Sequence, residues 1–274
     1  MNLTDALEVI RITDVGRRRE HNEDAVASDL DIGLVILADG MGGYNAGEVA
    51  SEMAILTIIA ELKAQLSHMT PGSLIASLGM QQESQALQDA VAKANETIYS
   101  VAQTQPQCAG MGTTLVTALF TNNKLISGHI GDSRLYRLRS NALVQLTEDH
   151  SLLQEQLRSG LITVEQTKFS NNKNLVTRAL GIDTEVQLEM HEHNVEVDDV
   201  YLLCSDGLTD LVDDHEIEMT LVSLNHNLEL AANQLIQLAN DYGGKDNISV
   251  ILVRVLKSFS IQQHWYTHLV NWLR

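Results

Sequence analysis

The sequence predicts an α+β layered domain, on three observations: short apolar runs that stop at Asp-Gly turns, closely spaced strand-like segments between Thr113 and Leu146, and separate segments with helical spacing. Strands come in runs and helices come in runs, which disfavours alternating βαβ units. Neither an internal repeat nor a Pro/Gly/Ser-rich linker interrupts the 274 residues, so the chain reads as one large domain.

In chain order, Leu34-Val35-Ile36-Leu37-Ala38 is a continuous apolar run stopping at Asp39-Gly40, the pattern of a buried strand delivered into a turn. Val49, Met53, Leu56 and Ala60 then share one helical face, and Leu87, Val91, Ala94 and Ile98 mark a second helix. From Thr113 the chain reads as an antiparallel meander. Its strands are Thr114 to Phe120, Lys124 to Ile130, Leu135 to Arg139 and Leu143 to Leu146, separated by turns at Asn122-Asn123, Gly131-Asp132 and Ser140-Asn141. The stretch from Asp149 to Gly181 is polar and partly helical. Asp149-His150-Ser151 reads as its cap, and Phe169-Ser170-Asn171-Asn172-Lys173-Asn174 as a flap loop beside a site. His191 and His193 alternate along a further strand and are expected to be exposed, whereas His129 reads as a packed residue of its strand. Val200 to Cys204 repeats the strand-to-turn design at Ser205-Asp206-Gly207, and Leu228, Ala231, Leu235 and Leu238 mark a third helix.

Composition removes several function classes. A formal charge of −18 opposes binding to DNA or RNA, whose affinity comes from Lys and Arg neutralising phosphates. Hydrophobic residues at 44% supply a sizeable core, and aromatics at 4% leave its packing to Leu, Ile, Val and Ala. Cys108 and Cys204 form no CxxC spacing and read as free buried thiols. Met1 to Arg19 has acidic residues and no apolar core of a signal peptide, and no run approaches the ~18 apolar residues of a membrane span. A cytoplasmic location is expected.

Oxygen-rich, sulfur-free clusters select hard cations such as Mg²⁺ or Mn²⁺. Asp24, Asp39, Asp206 and Asp246 suit that chemistry, because each stands at a strand end or in a tight turn where a short side chain is rigidly aimed. A single Asp-Gly pair is most simply a turn. The ordered series carries more weight: Arg19-Glu20-His21-Asn22-Glu23-Asp24, Ala38-Asp39-Gly40-Met41-Gly42-Gly43, Gly110-Met111-Gly112-Thr113-Thr114, Gly131-Asp132-Ser133-Arg134, Ser205-Asp206-Gly207 and Gly244-Lys245-Asp246-Asn247.

With that series the sequence resembles the metal-dependent protein phosphatase (PPM, or protein phosphatase 2C) family, most closely its compact bacterial members, over roughly Val9 to Val255. The resemblance implies a central β-sandwich of two antiparallel sheets flanked by pairs of α-helices. It implies serine/threonine phosphatase activity, with in-line attack on the phosphate monoester by a hydroxide bridging two metals. By resemblance, Asp24, Asp39, Asp206 and Asp246 are carboxylate ligands and the Gly40 carbonyl a backbone ligand of two Mg²⁺ or Mn²⁺ ions, with Glu23 acting through water. Asp132 matches the position that, with the central aspartate, holds a third and weaker ion. Arg19, five residues before Asp24, matches the phosphate-binding arginine, a fork of donors suited to phosphate oxygens. Arg17 and Arg18 then read as solvated surface or substrate contacts, and Asn247 as support for the Asp246 turn.

Two departures from the family pattern stand out. Met41 occupies the position where eukaryotic members often carry a histidine proposed as general acid, and Phe169-Ser170 replaces a His-Pro pair common in bacterial flaps. The resemblance further implies phosphoprotein substrates and an opposing serine/threonine kinase, and a monomer is expected. Residues 1–256 form the expected catalytic domain. Residues 257–274 are an extension in which Trp265, Leu269 and Trp272 share helical spacing, consistent with an amphipathic helix.

Overall fold

The computed structural model describes residues 2–43, 46–69, 72–75, 80–163, 166 and 175–260. The flap loop at 169–174 and the tryptophan-containing extension from 261 lie outside the described residues. The strands are β1 (Leu7–Asp14), β2 (Asp24–Asp29), β3 (Leu34–Met41), β4 (Leu74–Ile75), β5 (Met80–Gln81), β6 (Gly112–Thr113), β7 (Leu115–Thr121), β8 (Lys124–Ile130), β9 (Arg134–Arg139), β10 (Ala142–Gln145), β11 (Glu189–Asn194), β12 (Val200–Cys204) and β13 (Ile248–Val255). The helices are α1 (Ala46–Leu66), α2 (Gln82–Thr104), α3 (Leu152–Arg158), α4 (Asp206–Thr209), α5 (Asp214–Ser223) and α6 (Leu228–Asp241).

Two antiparallel sheets face each other, one ordered β1-β13-β12-β9-β10 and the other β11-β8-β7-β3-β2, with β6 pairing the end of β3. Alternation along β3 shows why its sequence is a continuous apolar run. Val35 and Leu37 point between the sheets toward Val116, Phe120, Tyr201, Leu203 and Ile251. Leu34, Ile36 and Ala38 point outward beneath Ala54, Ile58, Leu87 and Ile98 of α1 and α2. Strand β12 is covered the same way, with Leu202 and Cys204 packed under α5 and α6. A strand buried on both faces has no polar side to display.

Three sequence expectations need correction. The meander from Thr113 is divided between the sheets: β7 and β8 pair in one, β9 and β10 in the other, and Gly131-Asp132-Ser133 is the crossing between them. Gly131 makes that crossing at φ +100°, in the left-handed region glycine favours. The buried face of α1 is Gly47, Ala50, Ala54, Ile55, Ile58 and Leu62, not Val49, Met53, Leu56 and Ala60, and Leu56 is 67% exposed. Apolar residues ring that helix, so packing rather than periodicity chose its face, and the small residues let it approach the sheet closely. His193 is half-buried against Ser127, whereas His191 is exposed as expected. No described helix is long and apolar enough to cross a membrane.

Candidate metal centre

The predicted acids meet at one end of the sandwich. Asp24 opens β2 directly opposite Asp39 in the β2–β3 register, so the two carboxylates project from neighbouring strands. Asp39 lies within β3 rather than after it, because Gly40 and Met41 continue the strand by pairing with Thr113 and Gly112. Asp206 begins α4 one residue after β12, and Asp246 precedes β13. A Cβ at Gly40 would collide with the backbone carbonyls of Gly47 and Glu23, so this position accepts no other residue without moving α1.

Hydroxyls and one amide hold these acids in place. Asp24 Oδ2 accepts from Ser205 Oγ at 2.9 Å, while Ser205 Oγ accepts the Ser249 amide at 3.0 Å and thus ties β2 to β13. The Asp39 amide donates to Thr114 Oγ1 at 3.1 Å, and Thr114 Oγ1 shares a 2.7 Å hydrogen bond with Ser133 Oγ in the crossing. Asn247 Oδ1 accepts the Glu23 amide at 2.9 Å, and its Nδ2 donates to the carbonyls of Val15 and His21. Its own amide donates to Asp246 Oδ1 at 2.9 Å, so it supports the Asp246 turn as expected and also braces the arch carrying Arg19 and Glu23. The sequence gives Thr114, Ser205 and Ser249 no role.

The site is electrostatically unfavourable as a set of bare carboxylates. Burial, followed by the charges of Asp24, Asp206, Asp132 and Asp246, pushes the Asp39 carboxyl well above its ordinary range. Burial and then Asp132, Asp210, Asp246 and Asp24 do the same to Asp206. Burial drives Asp24 and Asp132 up to about 6 and raises Glu23. Glu23 Oε1 and Asp24 Oδ1 are buried without a hydrogen-bond partner. Clustered carboxylates, mutual repulsion and orphaned lone pairs together fit a divalent hard cation.

A carboxyl whose pKa is raised binds its proton more tightly in the folded chain than in the unfolded one. The contribution of these carboxyls to metal-free stability is therefore fully present below the ordinary aspartate value and is lost as pH rises through about 6 for Asp24 and Asp132, and at higher pH for Asp39 and Asp206. Divalent cations bound there would relieve that repulsion and would bind better as protons leave. The Tm difference between Mn²⁺-loaded and EDTA-treated protein is expected to widen with pH between about 4.5 and 7.5, each kcal/mol being roughly 2–4 °C for a chain of this size. A gap that stays constant or narrows would argue against a shared carboxylate site.

Arg19 stands at the mouth, half exposed, with Nη2 2.7 Å from Asp246 Oδ2, and this hydrogen bond raises its pKa. Arg17 and Arg18 are exposed. Asp132 and Asp206 line a 270 Å³ cleft with Arg134, Asp149, Gln154 and Asp210. Arg134 is an anchor, forking its Nε and Nη2 onto Asp149 at 2.9 and 2.7 Å and donating to the Tyr136 hydroxyl at 3.0 Å. A roomier 510 Å³ hollow opens at the other end of β9, beside Arg139, Asn225 and Arg254, away from the acids. His129 is buried and packed as expected, stacked on His150 with ring centroids 4.6 Å apart.

A partly buried, all-oxygen donor set with an arginine at its mouth suits a divalent-metal hydrolase for anionic substrates. The match to the protein phosphatase 2C family runs over residues 15–245. The serine/threonine phosphatase stp of Listeria welshimeri is 40% identical over 244 residues, covering 88% of this chain and 93% of the relative. The crystal structure of the Mycobacterium tuberculosis serine/threonine phosphatase PstP/Ppp superposes with a TM-score of 0.81 at 36% identity, over 92% of this chain and 100% of that one. A PstP catalytic domain solved with two manganese ions gives 0.77 at 37% identity, over 92% and 99%. The chain belongs to the protein phosphatase 2C family and is a serine/threonine protein phosphatase of the bacterial type.

Proposed function

We propose that the protein removes phosphate from phosphoserine and phosphothreonine in proteins by in-line displacement at the Asp24, Asp39, Asp206 and Asp246 cluster. The observation that carries this reading is the clustering of partly buried, mutually repelling carboxylates behind an arginine at the mouth. Bound across these four acids, with the Gly40 carbonyl and Glu23 alongside, two Mg²⁺ or Mn²⁺ ions would supply a water poised for attack at neutral pH and neutralise phosphoryl charge. Asp132 with Asp206 is the place for a third, weaker ion.

Arg19 receives the phosphate as a two-pronged donor, and its ion pair with Asp246 keeps it at the mouth until substrate arrives. Ser205, Thr114 and Asn247 hold the acids at fixed positions, so little rearrangement accompanies the reaction. Met41, half-buried at the end of β3, has no proton to give, so protonation of the leaving alkoxide falls to water or to another group. The catalytic domain takes in residues 1–256, acts in the cytoplasm as a monomer, and opposes a serine/threonine kinase.

Phosphothreonine and phosphoserine peptides are expected to be hydrolysed with kcat/KM at least about tenfold above that for a small aryl phosphate, a gap of ~1.4 kcal/mol in transition-state binding. Efficient turnover of the small ester with no activity on phosphopeptides would replace this reading with that of a small-molecule phosphoesterase.

A further inference from the structure

Outside the carboxylate cluster, His150 is a buried polar group held on several sides by the fold, and the sequence offers it only as part of a helix cap. Its side chain is 6% exposed and makes defined contacts at both ring nitrogens. The Gly131 amide donates to His150 Nδ1 at 3.1 Å, and the His150 amide donates to the Gly131 carbonyl at 2.9 Å. One residue thus holds both polar groups of the glycine that immediately precedes Asp132. Because Nδ1 accepts, the ring proton sits on Nε2, which faces Glu189 Oε2 at 3.2 Å, with Arg178 Nη1 farther off at 3.5 Å. The other oxygen of Glu189 is 3.0 Å from His191 Nε2. Glu189 lies opposite His129 in the β8–β11 register, and the His129 ring covers the face of His150 while donating from Nε2 to the Glu148 carbonyl at 2.8 Å.

We propose that His150 is a positioning residue for Asp132: it fixes the Gly131-Asp132 crossing from below, with Glu189 orienting its ring, and so sets the affinity of the weaker cation position. The inference rests on the assignment of Asp132 under Proposed function. Gly131 has no side chain of its own to restrain a crossing at φ +100°, and a Cβ there would run into Thr114, so the restraint has to come from a neighbour. The Thr177 amide donates to the His150 carbonyl at 2.8 Å and Ser151 bridges to Val176, so the same residue joins the Asp132 turn to the chain returning after residue 174. Orienting partners of this kind are known to change metal affinity by roughly 10–100-fold.

Among the described residues, His129, His150 and Glu189 place one donor atom each within 4.8 Å of one another, a spacing that a metal site could use. Hydrogen bonding opposes that reading. The His150 Nδ1 lone pair is taken by the Gly131 amide, so ligation through Nε2 would require an imidazolate, and the two rings lie stacked at 19° rather than converging on a point.

The test is Mn²⁺ binding to the full chain by calorimetry and by the paramagnetic signal of free Mn²⁺. His150→Ala is expected to weaken the weak class about tenfold and leave the tight class within about twofold. His150→Asn, whose amide oxygen can accept the Gly131 amide, is expected to recover most of that loss. Glu189→Ala, at a half-buried position that endangers folding less, is expected to weaken the same class by a smaller factor. A folded His150→Ala or Glu189→Ala protein with unchanged weak binding overturns the inference. So does a binding class that disappears in His129→Ala but survives Asp132→Asn, since the three residues would then be a metal site. If Asp132→Asn itself leaves Mn²⁺ binding unchanged, the assignment of Asp132 has failed; if Asp132→Asn removes the weak class and His150→Ala does not, the positioning role alone has failed.

Discussion

Asp39→Asn and Asp206→Asn are each expected to lower phosphate release by on the order of 10³-fold or more while the protein remains folded. Both carboxylates sit where several acids repel one another, and a bound cation would supply the compensation. Losing one ligand charge removes charge stabilisation of several kcal/mol, and ~4 kcal/mol corresponds to about 10³ in rate. The same substitutions are expected to stabilise the EDTA-treated protein at pH 7 by removing a buried like charge, shifting its Tm upward by a few degrees. Opposite signs in activity and metal-free stability identify a functional site held against its own electrostatics. A variant that loses both together would instead show these acids to be structural.

Arg19→Ala is expected to reduce kcat/KM by about 10²-fold, near 2.7 kcal/mol, the range of a charge-assisted fork on a phosphate. The guanidinium is half exposed and pairs with Asp246 at the mouth, so its removal leaves the core intact. Mn²⁺ affinity is expected to stay within a few-fold of wild type, which separates a substrate contact from a metal-site defect. Arg19→Lys is expected to restore less than half of the lost free energy, because an ammonium cannot present two parallel donors. Steady-state kinetics on a phosphothreonine peptide, with Mn²⁺ titrated in parallel, measures both effects. Full activity in Arg19→Ala would transfer the phosphate-binding role to Arg17 or Arg18.

Much of the centre is legible in the sequence because each acid is tied to a local signal. Asp39 and Asp206 follow apolar runs whose strands are covered on both faces, and Asp246 sits in a glycine-rich turn before another such strand. The division of the meander is not legible, since a turn joining two strands of one sheet and a crossing between two sheets have the same local pattern at Gly131-Asp132. The face of α1 is hidden for a related reason: with apolar residues all round, the sheet and α2 choose the small side. The supporting polar residues are hidden by distance along the chain. Asn247 reaches Glu23 across 224 residues and Ser205 reaches Asp24 across 181, and no local spacing announces either.

The most direct measurement is phosphate release from a phosphothreonine peptide by metal-stripped protein during a Mn²⁺ titration, with bound Mn²⁺ counted in the same samples. Turnover is expected to be absent without metal, to rise as two ions bind per chain, and to vanish again with excess EDTA. A folded protein that binds Mn²⁺ stoichiometrically yet releases no phosphate would contradict the assignment of the carboxylate cluster as a catalytic centre.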